Sequence, residues 1–142
     1  MITSAPDPKP CDWQHSMSLR FRDLDYLGHV TATEYLGMFE EGRAAWLSHR
    51  FETQNPTYVV ARQEIDFDRE LRLNQGPVTL SIELVRLGAK SLHLSEWLKS
   101  RDGMVHARSR ATLVMWDPDA RGSRRLTDFE RAALESASAV PP

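Results

Sequence analysis

The stretch RFRDLDYLGHVTATEYLGMFEEGR, residues 20–43, decides the fold because it joins a carboxylate-rich turn to the start of a long helix. Thr31 and Glu34 occupy the two positions of a capping box, in which the Thr31 hydroxyl accepts from the Glu34 amide and the Glu34 side chain reaches back. Apolar residues then recur with spacings of three, four and seven. This pattern predicts a helix over about residues 32–49, with one apolar stripe to bury.

Strand-like alternation surrounds this helix. Apolar and polar residues alternate over 17–23, which predicts a short, half-buried strand before the turn. After the helix come four further alternating runs, over residues 58–68, 77–87, 90–100 and 104–116. The second of these runs changes phase at Val85, as a β-bulge would cause. A short closing helix is expected over 126–137.

The order of elements predicts an α+β architecture. Gly88-Ala89 and Asp102-Gly103 separate successive runs by connections suited to tight hairpins, and hairpin-linked strands pair antiparallel. A single long helix needs one sheet face to cover its apolar stripe. We therefore expect an antiparallel five-stranded sheet wrapped around one long central helix. Residues 17–138 would form this single domain, after a flexible tail over 1–16 that is rich in proline.

Composition excludes several classes of function. The 142 residues include 18 Lys and Arg and 20 Asp and Glu, so the net charge of −2 gives no general attraction to nucleic acid or to anionic membranes. Cys11 is the only cysteine, and no Cys/His cluster has the spacing of metal ligands. No apolar run approaches the ~20 residues of a membrane span, and the first residues lack the pattern of a secretory signal. A cytoplasmic protein with no metal is expected.

The stretch around the helix start resembles the hotdog-fold acyl-CoA thioesterases of the 4-hydroxybenzoyl-CoA thioesterase-like family. The matching segments are Asp23-Leu24-Asp25, Gly28-His29-Val30, Tyr35 and Phe39-Glu40-Glu41-Gly42-Arg43. The later VRLGAKS, residues 85–91, resembles the hairpin that precedes the fourth strand in the family, and the resemblance extends over roughly residues 17–118. It implies a hotdog fold and a thioester hydrolase.

The resemblance also assigns roles at the turn. It implies that Asp25 acts as the nucleophile or as a general base on water, and that the backbone amide of Ala32 polarises the thioester carbonyl. A helix N-terminus suits the second role because its first amides lack intrahelical partners and carry partial positive charge. Gly28 would let the loop fold the carboxylate back toward that point. The resemblance implies a coenzyme A thioester as the substrate and no separate cofactor.

Other residues of the stretch are expected to shape the site. Val30 and Tyr35 would form core or pocket wall, and Asp23 would hold the loop through hydrogen bonds to its amides. His29 is interpreted as orienting the backbone or contacting the nucleotide, with an acid–base role as the alternative. Glu40 could face inward, yet a helix-surface pair with Arg43 is the simpler interpretation.

Basic residues are expected where coenzyme A places its phosphates. Arg86, Lys90 and Ser91 flank the Gly88 turn, where relatives contact pantetheine and nucleotide. An alternative stripe on one face of the last strand consists of His106, Arg108 and Arg110. Solvated strand faces are an equally good interpretation of both sets.

One departure from the family keeps other functions open. Many relatives have two Asn residues after Gly-His-Val, where this chain has Thr31-Ala32. A non-catalytic acyl-CoA-binding hotdog module is therefore an alternative, and an enoyl-CoA hydratase or dehydratase is a weaker one. Because one helix covers only one face of the sheet and sheet edges need pairing, we expect a homodimer or homotetramer with sites at the subunit interface.

Overall fold

The computed structural model describes residues 13–138 of the chain, and side chains as far as residue 136. Its strands and helices follow one another in the order β1 (Gln14–Met17), α1 (Ala32–Phe51), β2 (Tyr58–Phe67), β3 (Val78–Leu87), β4 (Ser91–Lys99), β5 (Val105–Asp117), β6 (Gly122–Ser123) and α2 (Asp128–Ser138). The predicted long helix, the four strands that follow it and the closing helix are thus confirmed, with ends that differ by one or two residues.

The sheet is antiparallel and has the strand order β1-β3-β4-β5-β2, with the short β6 paired to β5. It curls around α1, so the predicted hotdog architecture is confirmed. The two-residue β6 adds a sixth strand to the five that were predicted. The register between β3 and β4 shifts between Leu84 and Arg86, which confirms the predicted bulge at Val85.

One face of α1 packs into the curl of the sheet. Its buried side chains include Tyr35, Phe39, Trp46 and Leu47, and they join the apolar side chains of β3, β4 and β5 in one core. Burial of this stripe is the main stabilising contribution that the helix makes, since apolar area removed from water gives roughly 25 cal/mol per Å². Leu36 lies on the other side of α1 and is 47% exposed.

The strand predicted over 17–23 is wrong. The strand at this position is β1, which ends at Met17 and pairs with β3, and residues Phe21–Asp23 form a 3₁₀ turn. The turn forms because the Asp23 carboxylate accepts a hydrogen bond from the Arg20 amide at 2.8 Å, which bends the chain where alternation suggested extension. The predicted tail over 1–16 is also too long, because β1 begins at Gln14; residues 1–12 lie outside the described part.

Helix α1 begins where the sequence predicts, but the capping box is wrong. Thr31 is the N-cap residue and makes no side-chain cap. Its hydroxyl lies 3.2 Å from the Thr33 hydroxyl, and the Glu34 amide donates to the Thr31 carbonyl instead. Glu34 turns toward Arg20, with 3.8 Å between the carboxylate and the guanidinium, and so does not reach back to the N-cap amide.

The expected surface pair of Glu40 and Arg43 is also wrong, because Arg43 is buried. Its Nε and Nη2 donate to the Glu96 carboxylate of β4 at 2.8 and 2.9 Å, and the Ser109 hydroxyl donates to the same carboxylate at 2.8 Å. Both ends of this ion pair are fully enclosed between α1 and the sheet. Breaking such a pair by removing one partner leaves a buried charge and costs about 3–5 kcal/mol.

Candidate active site

A tight loop between residues 24 and 31 places Asp25 beside the start of α1. Leu24 and Val30 form an isolated antiparallel bridge, and the Asp25 amide donates to the His29 carbonyl at 2.8 Å. Gly28 closes the loop with a φ of +78°, a left-handed conformation that glycine adopts without strain. The loop therefore returns the chain to α1 directly alongside Asp25.

The two oxygens of the Asp25 carboxylate have different environments. Oδ1 accepts hydrogen bonds from the amides of Leu27 at 2.9 Å and His29 at 3.1 Å. Oδ2 has no hydrogen-bond partner within residues 13–138. The side chain is half-buried, so one oxygen fixes the carboxylate in the loop and the other remains available to a bound molecule.

The N-terminus of α1 presents two backbone amides without acceptors. The Thr31 amide donates to the Asp23 carbonyl at 3.0 Å, and the amides of Glu34 and Tyr35 both donate to the Thr31 carbonyl. Between them, the amides of Ala32 and Thr33 have no acceptor among the described residues, and both residues are exposed. Such a helix start can bind a negatively charged oxygen.

Asp23 holds the start of this loop through hydrogen bonds with Arg20. Its carboxylate is buried and accepts from both the amide and the guanidinium of Arg20. Burial by itself raises the pKa of Asp23, but the hydrogen bonds and positive charge of Arg20 outweigh it, so the pKa lies below its ordinary value. Asp23 is therefore ionised at neutral pH and holds the turn closed.

The other predicted residues of the stretch lie at the same end of the sheet. Val30 is buried and its amide donates to the Leu71 carbonyl at 2.8 Å. Tyr35 is buried edge-on against Phe67, with 5.1 Å between ring centroids, and burial raises its pKa to about 12. His29 is partly exposed, and its Nε2 lies 2.6 Å from the carboxylate of Glu70.

A cavity of about 780 Å³ lies along the exposed side of α1. One wall is formed by α1, through Leu36, Glu40 and Arg43, and the other by the chain that leads into β2 and by β2 itself, through Tyr58 and Gln63. Burial raises the pKa of Tyr58, so its hydroxyl stays protonated at neutral pH. Glu40 lies on this wall, two helical turns or ~12 Å beyond Ala32. Asp25, His29 and Ala32 are outside its lining.

The predicted phosphate-binding residues do not lie together with Asp25 in one chain. Ser91 pairs with Val114, whereas Leu98 pairs with Ala107 near the Asp25 loop, so the two ends are seven residues apart along β5, or about 23 Å. Arg86, Lys90 and Ser91 therefore lie at the opposite end of the sheet.

Arg108 and Arg110 lie on the face of the sheet that points away from α1. Ser109 points toward α1, where it meets Glu96, and its neighbours on an alternating strand point the other way. Arg108 is held by Asp68 through two hydrogen bonds of 2.7 and 2.9 Å, which occupy its guanidinium. His106, the third member of the predicted stripe, is buried, so it is not part of any exposed stripe.

Two residues near the loop, Glu70 and Arg72, are not predicted by any sequence motif. Glu70 and Arg72 belong to the connection between β2 and β3, which carries no motif. The structure brings this connection against the loop through the bridge between His29 and Arg72. The contact depends on the three-dimensional path of the chain, and its one hint is the excess of charged residues over 68–72.

The chain matches a known protein family over most of its length. A family model described as the thioesterase-like superfamily matches residues 19–141, which is most of the chain. The chain belongs to this superfamily, and the resemblance to hotdog thioesterases is confirmed.

Solved structures give the same architecture. The chain is similar to a thioesterase from Thermus thermophilus solved with coenzyme A and Zn, at 27% identity and a TM-score of 0.78, covering 91% of this chain and 96% of that one. It is similar to YbaW, a probable thioesterase from Escherichia coli, at 26% identity and a TM-score of 0.69. The match covers 88% of this chain and 98% of that one. The protein SAV2348 of Staphylococcus aureus, solved with CoA, shares the fold at 14% identity and a TM-score of 0.82. The match covers 99% of this chain and 90% of that one.

None of the curated proteins compared with the chain matches it. Within residues 13–138, no helix is both long and apolar enough to span a membrane. The same residues contain no group of three or more His, Cys, Asp or Glu side chains placed to hold a metal ion.

Proposed function

We propose that this protein hydrolyses an acyl-CoA or aroyl-CoA thioester to the free acid and coenzyme A. The observation that carries the proposal is the hydrogen-bonded loop that holds Asp25, with one free carboxylate oxygen, and leads directly into the two free amides at the start of α1. Membership of the thioesterase-like superfamily supports the reaction, and the coenzyme A in the Thermus thermophilus thioesterase supports the substrate class.

The free amides supply the electrostatic part of the reaction. As the thioester carbonyl is attacked, negative charge develops on its oxygen, and the Ala32 amide donates to that oxygen at the positive end of the helix dipole. A preorganised donor of this kind lowers the barrier by about 3–4 kcal/mol. The donor belongs to the backbone, so it does not depend on the Asn that many relatives have where this chain has Ala32.

Asp25 supplies the second part of the reaction, the attack on the thioester carbonyl. Its Oδ1 is fixed by the amides of Leu27 and His29, and Oδ2 acts either as the nucleophile at the carbonyl carbon or as the base for a water molecule. In either role the carboxylate must be ionised. The two amides donate to this ionised form and hold it in the loop.

The hydrolysis of a panel of acyl- and aroyl-CoA thioesters tests the proposal, with release of the CoA thiol as the readout. We expect turnover of at least one thioester, and we expect Asp25→Asn to lower kcat at least about 100-fold, since the carboxylate is lost while the shape is kept. Asp119→Asn, on an exposed turn after β5, is the matched control and should leave kcat unchanged. Unchanged turnover in Asp25→Asn would show that the site is elsewhere.

A lack of turnover with the wild-type protein would contradict the hydrolase itself. Binding of acyl-CoA in calorimetry without turnover would then favour a non-catalytic module. Addition of water to crotonyl-CoA without thiol release would favour a hydratase.

We also propose that two copies pair through β2. Strand β2 pairs with β5 on one side, and within residues 13–138 no strand pairs with its other edge. Val60 and Phe67 on this ten-residue strand are 41% and 47% exposed. Antiparallel pairing of two β2 edges about a two-fold axis brings the Gly88 turn of a second copy to the end of the sheet where Asp25 lies. The predicted phosphate-binding residues and Asp25 would then lie at one end of the dimer.

A further inference from the structure

Glu70 lies opposite His29, and their side chains are in contact. The Glu70 Oε2 is 2.6 Å from the His29 Nε2, and its Oε1 is 3.6 Å from the Arg72 Nε. A carboxylate accepts protons and does not donate them, so the ring nitrogen that faces it is the one that carries the proton. In the neutral ring, the other nitrogen, Nδ1, then has the lone pair.

Both partners are fixed by the backbone around them. The segments that carry His29 and Glu70 lie side by side, joined by the bridge between His29 and Arg72 and by the hydrogen bond from the Val30 amide to the Leu71 carbonyl. Beneath them, the buried His106 donates from Nδ1 to the Glu70 carbonyl at 2.7 Å. These hydrogen bonds therefore fix the backbone on both sides of the contact between His29 and Glu70.

The same His29 is joined to Asp25. The Asp25 amide donates to the His29 carbonyl at 2.8 Å, and the His29 amide donates to the Asp25 carboxylate at 3.1 Å. The His29 side chain is 34% exposed, and Nδ1 has no hydrogen-bond partner among the described residues. His29 thus has an oriented imidazole with one nitrogen free of hydrogen bonds, and Asp25, which is joined to it through the backbone, has one free carboxylate oxygen. These groups can supply a base, its orienting group and a nucleophile.

We propose that His29, oriented by Glu70, is the general base that activates water, and that Asp25 is the nucleophile. This inference rests on the proposed thioester hydrolysis. His29 is then a catalytic residue and Glu70 a positioning residue that holds the ring with Nε2 protonated.

The reaction then has two stages. The Asp25 oxygen bonds to the acyl carbon, the carbon–sulfur bond breaks, and the sulfur leaves as a thiolate with the electron pair. A water oxygen then bonds to the same acyl carbon while the His29 Nδ1 takes one water proton. The bond between the acyl carbon and Asp25 breaks and returns the carboxylate. The His29 ring passes its extra proton to the thiolate, which gives the free acid and the thiol.

Rapid-mixing kinetics with the best acyl-CoA of the panel test this assignment. In His29→Ala and Glu70→Gln the first step remains and the second slows, so we expect a burst of thiol approaching one equivalent per chain, followed by turnover lowered about 100-fold for His29→Ala. Added imidazole should restore the slow phase of His29→Ala, because it replaces the missing base. His49→Ala and Glu83→Gln, both at exposed positions, are the matched controls and should behave as the wild type does.

The double variant His29→Ala/Glu70→Gln separates positioning from structure. If Glu70 acts through His29, the double variant should be no slower than His29→Ala, and imidazole should restore both equally. Slow turnover without a burst, a change confined to KM, or no response to imidazole would overturn the inference while leaving the hydrolase proposal intact. No thiol release by the wild type would overturn the hydrolase proposal itself.

Discussion

The imidazole of His106 is enclosed beneath the connection that carries Glu70, and only one of its nitrogens has a partner. Nδ1 donates to the Glu70 carbonyl, whereas Nε2 is buried with no hydrogen-bond partner in the described structure. Burial lowers the pKa of His106 below its ordinary 6.5, because a protonated ring would place a positive charge out of reach of water. The ring is therefore neutral in the folded protein at neutral pH.

This environment predicts a loss of stability in mild acid. Below pH 6.5 the unfolded chain binds a proton at His106 that the folded chain still excludes, so the free energy of unfolding falls as the pH drops from 6.5 to the lowered pKa. His106→Asn keeps a donor for the Glu70 carbonyl but cannot titrate, so its stability should depend less on pH in this window. Urea unfolding between pH 7 and pH 5 measures the difference, with the exposed His49→Asn as control. Equal pH slopes in wild type and His106→Asn would contradict the prediction.

Residues close in sequence could be predicted, and pairs distant in sequence could not. Asp25, Gly28 and Thr31 lie in one loop and helix start, and the structure has the predicted turn at Gly28 and the predicted N-cap position at Thr31, without the side-chain cap. The sequence predicts Arg43 at the surface, because its partner in the structure, Glu96, lies on another element, 53 residues away. Glu70 was missed for the same reason, since no local pattern predicts a side chain that meets His29 through the path of the chain.

At the scale of elements, helix α1 lies close against Leu80 of β3 at Gly42. A Cβ atom at this position would lie 2.0 Å from the Leu80 Cδ2 and 3.1 Å from the Leu80 Cβ. Leu80 is fully buried, so it cannot move aside without disturbing its neighbours in the core. The absence of a side chain at residue 42 therefore lets the helix lie against the sheet.

We expect Gly42→Ala to destabilise the protein by about 1–3 kcal/mol, as overpacking in a well-packed core does. Gly37 lies in the same helix, and a Cβ there would meet no atom within 4 Å. Gly37→Ala should instead stabilise the protein by up to about 1 kcal/mol, because alanine is the better helix former. Urea unfolding of both variants at one pH provides the measurement. The same sign of change in both would mean that helix propensity, and not the contact with Leu80, controls the effect.

Elements with strong periodic patterns were predicted well, and the exception has a local cause. Helix α1 and strands β2 to β5 each have a long apolar pattern and a clear turn signal, and their ends agree with the sequence within two residues. Residues 17–23 also alternate, but a polar contact, from the Arg20 amide to the Asp23 carboxylate, bends them into a 3₁₀ turn. A hydrophobic pattern does not report such a contact, so alternation over a short segment is weak evidence for a strand.

At the scale of the whole molecule, one chain holds the parts of the proposed site at two ends. Asp25 and the start of α1 lie at the end where β2 finishes, and the Gly88 turn lies at the end where β2 begins. The cavity beside α1 opens next to the unpaired edge of β2. A second copy paired through β2 would cover this cavity and bring the two ends together, so assembly and activity should be lost together.

Val60→Lys tests this coupling because it puts a charge on the unpaired edge of β2, where a second copy would pair. We expect light scattering after gel filtration to give twice the chain mass of 16.2 kDa for the wild type and the mass of one chain for the variant. Thioester hydrolysis should fall with the loss of the dimer, while circular dichroism stays unchanged. Val85→Lys is the matched control, since Val85 is 61% exposed on β3, a strand paired on both sides. A monomeric Val60→Lys with full activity would place the whole site within one chain.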